Sequence, residues 1–138
     1  MKLWTSHSIV TSSLNAEIVF NPTIENVVGI SIDSVRCSIP LNNLYYYRLS
    51  YKISSIDTPS SFNGSYVYQH VLLENDSSHL KYDKLYKSSL CVPKQTLYDL
   101  QFYVTNLDGS PCQPHLNNQL IINYSIITLK DEKKSNGY

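Results

Sequence analysis

The sequence predicts an all-β protein, an antiparallel two-sheet β-sandwich of jelly-roll-like form with at most one short helix. Two observations carry this expectation. Apolar residues recur at every second position over most of the chain, the period of a half-buried strand. Pro, Asn, Asp and Gly punctuate these runs where turns are needed. Roughly seven or eight short strands result, and the Cys…Trp…Cys framework of true immunoglobulin domains is absent. One domain is expected over residues 1–129, followed by a polar tail over 130–138 whose charged composition cannot bury itself.

Taken in order, Leu3 to Val10 forms the first strand. Ala16, Ile18 and Phe20 share one face of a short strand that Asn21-Pro22 should end. Val28, Ile30 and Ile32 hold an even phase, whereas Val35, Cys37 and Ile39 hold an odd one. The slip at Asp33-Ser34 predicts a β-bulge or a break. Pro40 closes this strand and Asn42-Asn43 supplies a turn. From Tyr45 to Ile53 the odd positions Tyr45, Tyr47, Leu49, Tyr51 and Ile53 face inward, with Arg48, Ser50 and Lys52 on the wet side.

Residues 54–65 read as a Ser-rich loop, and Tyr66 to Leu73 as a strand. Glu74 to Ser89 admits two readings. Asp76-Ser77-Ser78 caps a short helix with Leu80, Lys84 and Lys87 on one side, or the segment is a charged edge strand. Leu97 to Thr105 alternates with Tyr98, Leu100, Phe102 and Val104 inward. Asp108-Gly109 marks a turn, and the loop runs on through Pro111 and Pro114 to Asn117-Asn118. Leu120 to Leu129 is apolar on both faces, as a central strand should be.

Composition excludes several classes of function. Hydrophobic residues make up 42% of the 138 residues and charged residues only 16%, so polarity comes largely from Ser and Asn. The formal net charge is zero, which removes the positive surface that nucleic-acid binding requires; no nucleic acid is expected as a partner. Cys37, Cys91 and Cys112 are odd in number and lack a C-x-x-C pair, so no disulfide framework is implied. Cys37 reads as a small buried hydrophobe, while a Cys91–Cys112 bond stays open. Met1 to His7 develops no apolar run of signal-peptide length, no segment is suited to membrane insertion, and synthesis in a reducing cytoplasm is expected. The sequons at Asn63, Asn75 and Asn123 then read as chance.

No catalytic apparatus is legible. The four glycines, Gly29, Gly64, Gly109 and Gly137, cannot compose a phosphate-cradling loop, and no G-x-S-x-G elbow occurs. His7, His70, His79 and His115 are scattered. Cys112-x-x-His115 with Asp108 is the one local set of potential ligands, and it lacks the second pair of a zinc site. His70 is phased with Tyr66, Tyr68 and Leu72 and reads as a packed or hydrogen-bonded core histidine. No catalytic residue, cofactor or metal is therefore expected. The most distinctive feature is Tyr45, Tyr46, Tyr47 and Arg48, followed by Tyr51. This cluster is the candidate interface or ligand surface. Sheet packing or a subunit interface is the favoured reading, and an aromatic platform for sugars or bases the other.

Two stretches carry a resemblance. Phe20-Asn21-Pro22-Thr23-Ile24-Glu25-Asn26-Val27-Val28-Gly29-Ile30-Ser31-Ile32, leading to Ser38-Ile39-Pro40-Leu41-Asn42-Asn43-Leu44-Tyr45-Tyr46-Tyr47, resembles an opening found in virion proteins of giant DNA viruses and their virophages. There an "N-V-V-x-I" strand is followed by an "I-P-x-x-x-Y" turn. Leu97 to Ser110, then Asn117 to Ile122, is similar to their closing hairpin. The long polar loop usual between the two is short here. The resemblance implies a small virion structural protein of minor capsid, cement or spike type, forming a homo-oligomer and contacting other virion proteins. It carries over no site residue. The competing expectation is a carbohydrate- or receptor-binding module that uses the Tyr-rich strand, with a glycan as ligand.

Overall fold

The computed structural model of the chain describes residues 1–53, 68–84 and 90–130. Seven strands run through them: β1 (Lys2–Thr11), β2 (Asn15–Cys37), β3 (Tyr46–Lys52), β4 (Tyr68–Asn75), β5 (Leu80–Asp83), β6 (Leu90–Asn106) and β7 (Leu120–Leu129). Every pairing is antiparallel, and the described residues contain no helix, hence none long and apolar enough to cross a membrane.

The strands form one hydrogen-bonded sheet in the order β1-β7-β2-β5-β4-β3-β6, and a further β2–β6 pairing bends it into a partial ring. β2 makes the bend possible. Its first half pairs with β6, and its second half lies between β7 on one side and β5 on the other. The seven strands are thus all-β and antiparallel, as expected, and are joined in a single hydrogen-bonded sheet.

Irregularities in β2 follow from its sequence. Asn21-Pro22, a cis bond, interrupts the ladder without ending the strand. Proline has no N–H to donate, so the pairing jumps from Val19↔Asp99 to Ile24↔Leu97 and β2 continues beyond. This corrects the short strand expected before Asn21. The jump also resets β6. Leu97 is buried and Tyr98 exposed, so Tyr98 does not join Leu100, Phe102 and Val104 inside as its parity suggested.

At Asp33 the register with β7 steps from Ile32↔Tyr124 to Ser34↔Asn123, which is the bulge expected from the phase slip. The extra residue is used. Asp33 receives Lys84 Nζ at 2.6 Å, the Ser125 hydroxyl at 2.6 Å and the Ser31 hydroxyl at 3.1 Å. Lys84 Nζ also donates to Ser31 Oγ at 2.9 Å and lies 5.1 Å from the Trp4 ring centre.

The turns obey their residues. Asn43 has φ 51° and its N–H donates to the Pro40 carbonyl. Alternation begins only after this turn, at Tyr46, which leaves Tyr45 exposed instead of inward. Asp76 caps a tight β4–β5 hairpin, accepting the Ser78 and His79 amides and the Ser78 hydroxyl. Those bonds hold its carboxyl far below the usual range. Of the two readings of this segment the helix does not form: with Glu74↔Lys81 and Asn75↔Leu80 paired, the same capping chemistry closes a hairpin, and β5 is a strand, lying between β2 and β4 and not at an edge. Lys87, the far end of that helix reading, residues 131–138 of the expected tail, the expected 54–65 loop and the Tyr66 start of the strand expected after it lie outside the described residues.

The core fills the ring. Tyr47, Leu49, Tyr51 and Ile53 of the β3 segment meet Leu73, Leu80, Leu100, Phe102 and Ile30, all at most 1% exposed. Phe102 lies 6.0 Å from Tyr51 and 5.5 Å from Tyr124, ring centre to ring centre, at tilted angles that suit aromatic quadrupoles. Burying each such side chain stabilises the fold by about 1.5–3 kcal/mol before the entropy of ordering it.

Candidate binding surface

Strand parity creates the surface. With odd positions of β3 turned inward, Arg48, Ser50 and Lys52 project from the opposite face. Arg48 stands between Leu72 and Thr105, and Ser50 between His70 and Tyr103. Together with Lys52 and Gly109 they line a shallow polar depression across β4, β3 and β6. It is a row of cations and hydroxyls with apolar groups at its rim.

Arg48 is fixed by its surroundings. Its guanidinium lies so close to Gly109 that a Cβ there would sit 2.6 Å from Nη2, and Gly109 adopts φ +89°, which only glycine takes easily. Its Nε is buried without a partner among the described residues. Ser110 binds the adjacent Asp108 through hydroxyl and amide, which with the nearby Arg48 charge lowers the Asp108 carboxyl below its ordinary range.

Ser50 Oγ lies 2.7 Å from His70 Nδ1. Partial burial, and then the Arg48 charge, lower the pKa of His70. His70 is hydrogen-bonded, as expected, but it is exposed on the outer face and is not a core residue; Leu73 is the inward neighbour. A hydroxyl against an imidazole is also the geometry of an activated nucleophile. Here Ser50 is itself buried in a central strand paired on both sides, so the neighbouring amides serve the ladder rather than a developing oxyanion.

The structure divides the Tyr cluster. Tyr45 is 79% exposed and Tyr46 also lies at the surface, their ring centres 6.5 Å apart. Arg48 belongs to the depression just described. Tyr47 and Tyr51 are core residues with no exposed surface and leave the candidate set. The Tyr47 hydroxyl donates to Asn42 Oδ1 at 2.7 Å and accepts the Leu44 N–H at 2.8 Å, bracing the turn. The Tyr51 hydroxyl donates to the Ile30 carbonyl at 3.3 Å, tying β3 to β2. Burial raises both phenols above their ordinary pKa.

The other candidates are dispersed. All three cysteines are free thiols. Burial, with a smaller contribution from nearby Cys112, pushes Cys37 up to about 12, so it is an inert thiol at neutral pH. Cys112 Sγ contacts the Val104 carbonyl, while His115 Nδ1 accepts the Asn117 amide. Among the described residues no three His, Cys, Asp or Glu side chains converge as metal ligands. His79 and His115 line a second depression beside Arg36, whose guanidinium is held by Asp83 at 3.0 and 3.1 Å.

Sequence reasoning missed the Asp33–Lys84–Ser125 cluster and the Ser50–His70 pair. The phase slip at Asp33 was the available signal for the first; the second depends on cross-strand register, which no local pattern contains. No protein-family model and no curated protein matches the chain.

Proposed function

We propose that this chain is a non-enzymatic structural component of a virus particle, a jelly-roll-like two-sheet sandwich that associates with itself and with other virion proteins. It would be made in the host cytoplasm and built into the virion. The carrying observation is an all-β surface rich in uncompensated apolar groups. Leu116 is 87% exposed, and Leu41, Leu44, Tyr45 and Tyr46 are exposed along one short segment. The Leu41 N–H bonds to the Gln113 carbonyl, joining this segment to the loop that carries Leu116. Exposed apolar groups on these two joined segments of a neutral molecule suit contact with other proteins. The resemblance of the Phe20 to Tyr47 and Leu97 to Ile122 stretches to virion proteins supplies the biological setting.

Light scattering on purified protein across a concentration series, followed by electron microscopy of the eluted species, tests the proposal. Particles or discrete oligomers are expected. A constant mass of 15.8 kDa at every concentration removes self-association.

Tyr45 and Tyr46 beside the Arg48 depression favour a second reading, a carbohydrate- or receptor-binding module. Saturable glycan binding abolished by Tyr45→Ala or Tyr46→Ala, with the fold intact, would select it. Tyr47→Ala reports only on stability, because that ring is buried.

A further inference from the structure

Among the described residues each strand from β2 to β7 pairs with at least two others, although stretches of β2, β4 and β6 are paired on one side only, whereas β1 pairs with β7 alone over its whole length. An edge strand presents a row of unpaired N–H and C=O groups to any chain that can lie beside it. Natural edges are usually blunted by shortness, proline, a bulge or an inward charge. β1 has none of these. It runs for ten residues, in unbroken register with β7 from Lys2↔Leu129 to Thr11↔Leu120. It contains no proline, and no charge lies between Leu3 and Thr11. Apolar side chains stand exposed on both of its faces, Val10 at 60% outward and Leu3 at 42% inward.

We infer that β1 pairs antiparallel with β1 of a second copy of this chain, about a two-fold axis. The inference rests on the self-association proposed above and names its surface. Two-fold pairing in a register that matches the pleat sets odd positions against odd. Leu3, Thr5, His7 and Ile9 of one copy then face the same set in the other, Leu3 across from Ile9 and Thr5 across from His7. An edge whose one charge is Lys2 at its end offers little to select a charged partner, and a chain of zero net charge does not repel its own copy. The pairing consumes the open edge in both copies, so association through it closes at two.

The test combines a variant with a measurement on the unaltered protein. Thr5 and Ser8 are both exposed and point to opposite faces of the strand. Thr5→Lys with Ser8→Lys places a charge on each face while leaving the β7 pairing in place. The unaltered protein should approach twice 15.8 kDa as concentration rises. The double variant should stay at 15.8 kDa with an unchanged melting temperature, and Gln113→Lys, in an exposed loop, should behave as the unaltered protein. In the unaltered protein, hydrogen exchange at alternate amides of Lys2 to Thr11 should slow as concentration rises. If the protein associates but neither the double variant nor β1 exchange responds, β1 is not the surface and self-association stands. A monomer throughout the series overturns both.

Discussion

Phe102 and Gln101 are chain neighbours with opposite duties. Phe102 is fully buried between Tyr51 and Tyr124, so Phe102→Ala should cost about 3–5 kcal/mol through lost contacts and the cavity left behind. Gln101 faces outward, where it accepts a hydrogen bond from the Tyr103 hydroxyl, and Gln101→Ala should shift stability by no more than about 0.5 kcal/mol. Denaturant midpoints that fall equally for both would contradict the facing of β6. His70 offers a test on the outer side of the sheet. Because its folded pKa lies below the ordinary value of 6.5, the folded protein takes up this proton less readily than the unfolded chain. Its effect on stability is absent well above pH 6.5 and grows unfavourable as pH falls through that value toward the folded pKa. A proton-resonance titration should place His70 below 6.5, and Arg48→Ala should move the midpoint upward by removing a nearby charge. A midpoint indifferent to Arg48 would show that the two do not interact.

At the level of strands, what the sequence disclosed and what it concealed have separate causes. The β3 alternation, the bulge at Asp33 and the turns at Asn42-Asn43 and Asp108-Gly109 were legible because each depends on residues within a few positions of one another. The continuation of β2 past Pro22 was not, since β6 accommodates the lost donor from some seventy positions away (Ile24↔Leu97). Tyr98 was misplaced for the same reason, and the candidate surface lost Tyr47 and Tyr51 because parity alone does not show whether an aromatic face meets water or a second layer. Two ion pairs at the β2–β5 junction separate burial from proximity. Asp33 binds Lys84 in a half-buried cluster with two serine hydroxyls, whereas Asp83 meets Arg36 on an exposed flank. Asp33→Ala should therefore cost about 1–3 kcal/mol, because it strands Lys84 and Ser125. Asp83→Ala should cost about 0–1 kcal/mol. Chemical denaturation of the two variants decides, and equal losses would remove the special standing of the bulge.

Over the whole molecule, β2 joins what would otherwise be two halves. Each half borrows one of its edges from the same strand, so neither can open without breaking the other's ladder. Thermal unfolding followed by far-ultraviolet dichroism, which should show strand and no dominant helix, is expected to coincide with unfolding followed by tyrosine fluorescence in one transition. Two separated midpoints would mean that the shared strand does not couple the halves. The pairing of Lys2 with Leu129 also has a meaning for biosynthesis. On the ribosome β1 emerges before every other described strand, while the strand it pairs with emerges after them. It must therefore wait, its partner strand not yet made, through most of translation, when nascent chains on a crowded polysome offer it many identical strands. The strand best suited to join two finished copies is thus also the one through which unfinished copies would tangle, and slowing translation should lower yield more than it lowers the stability of what folds.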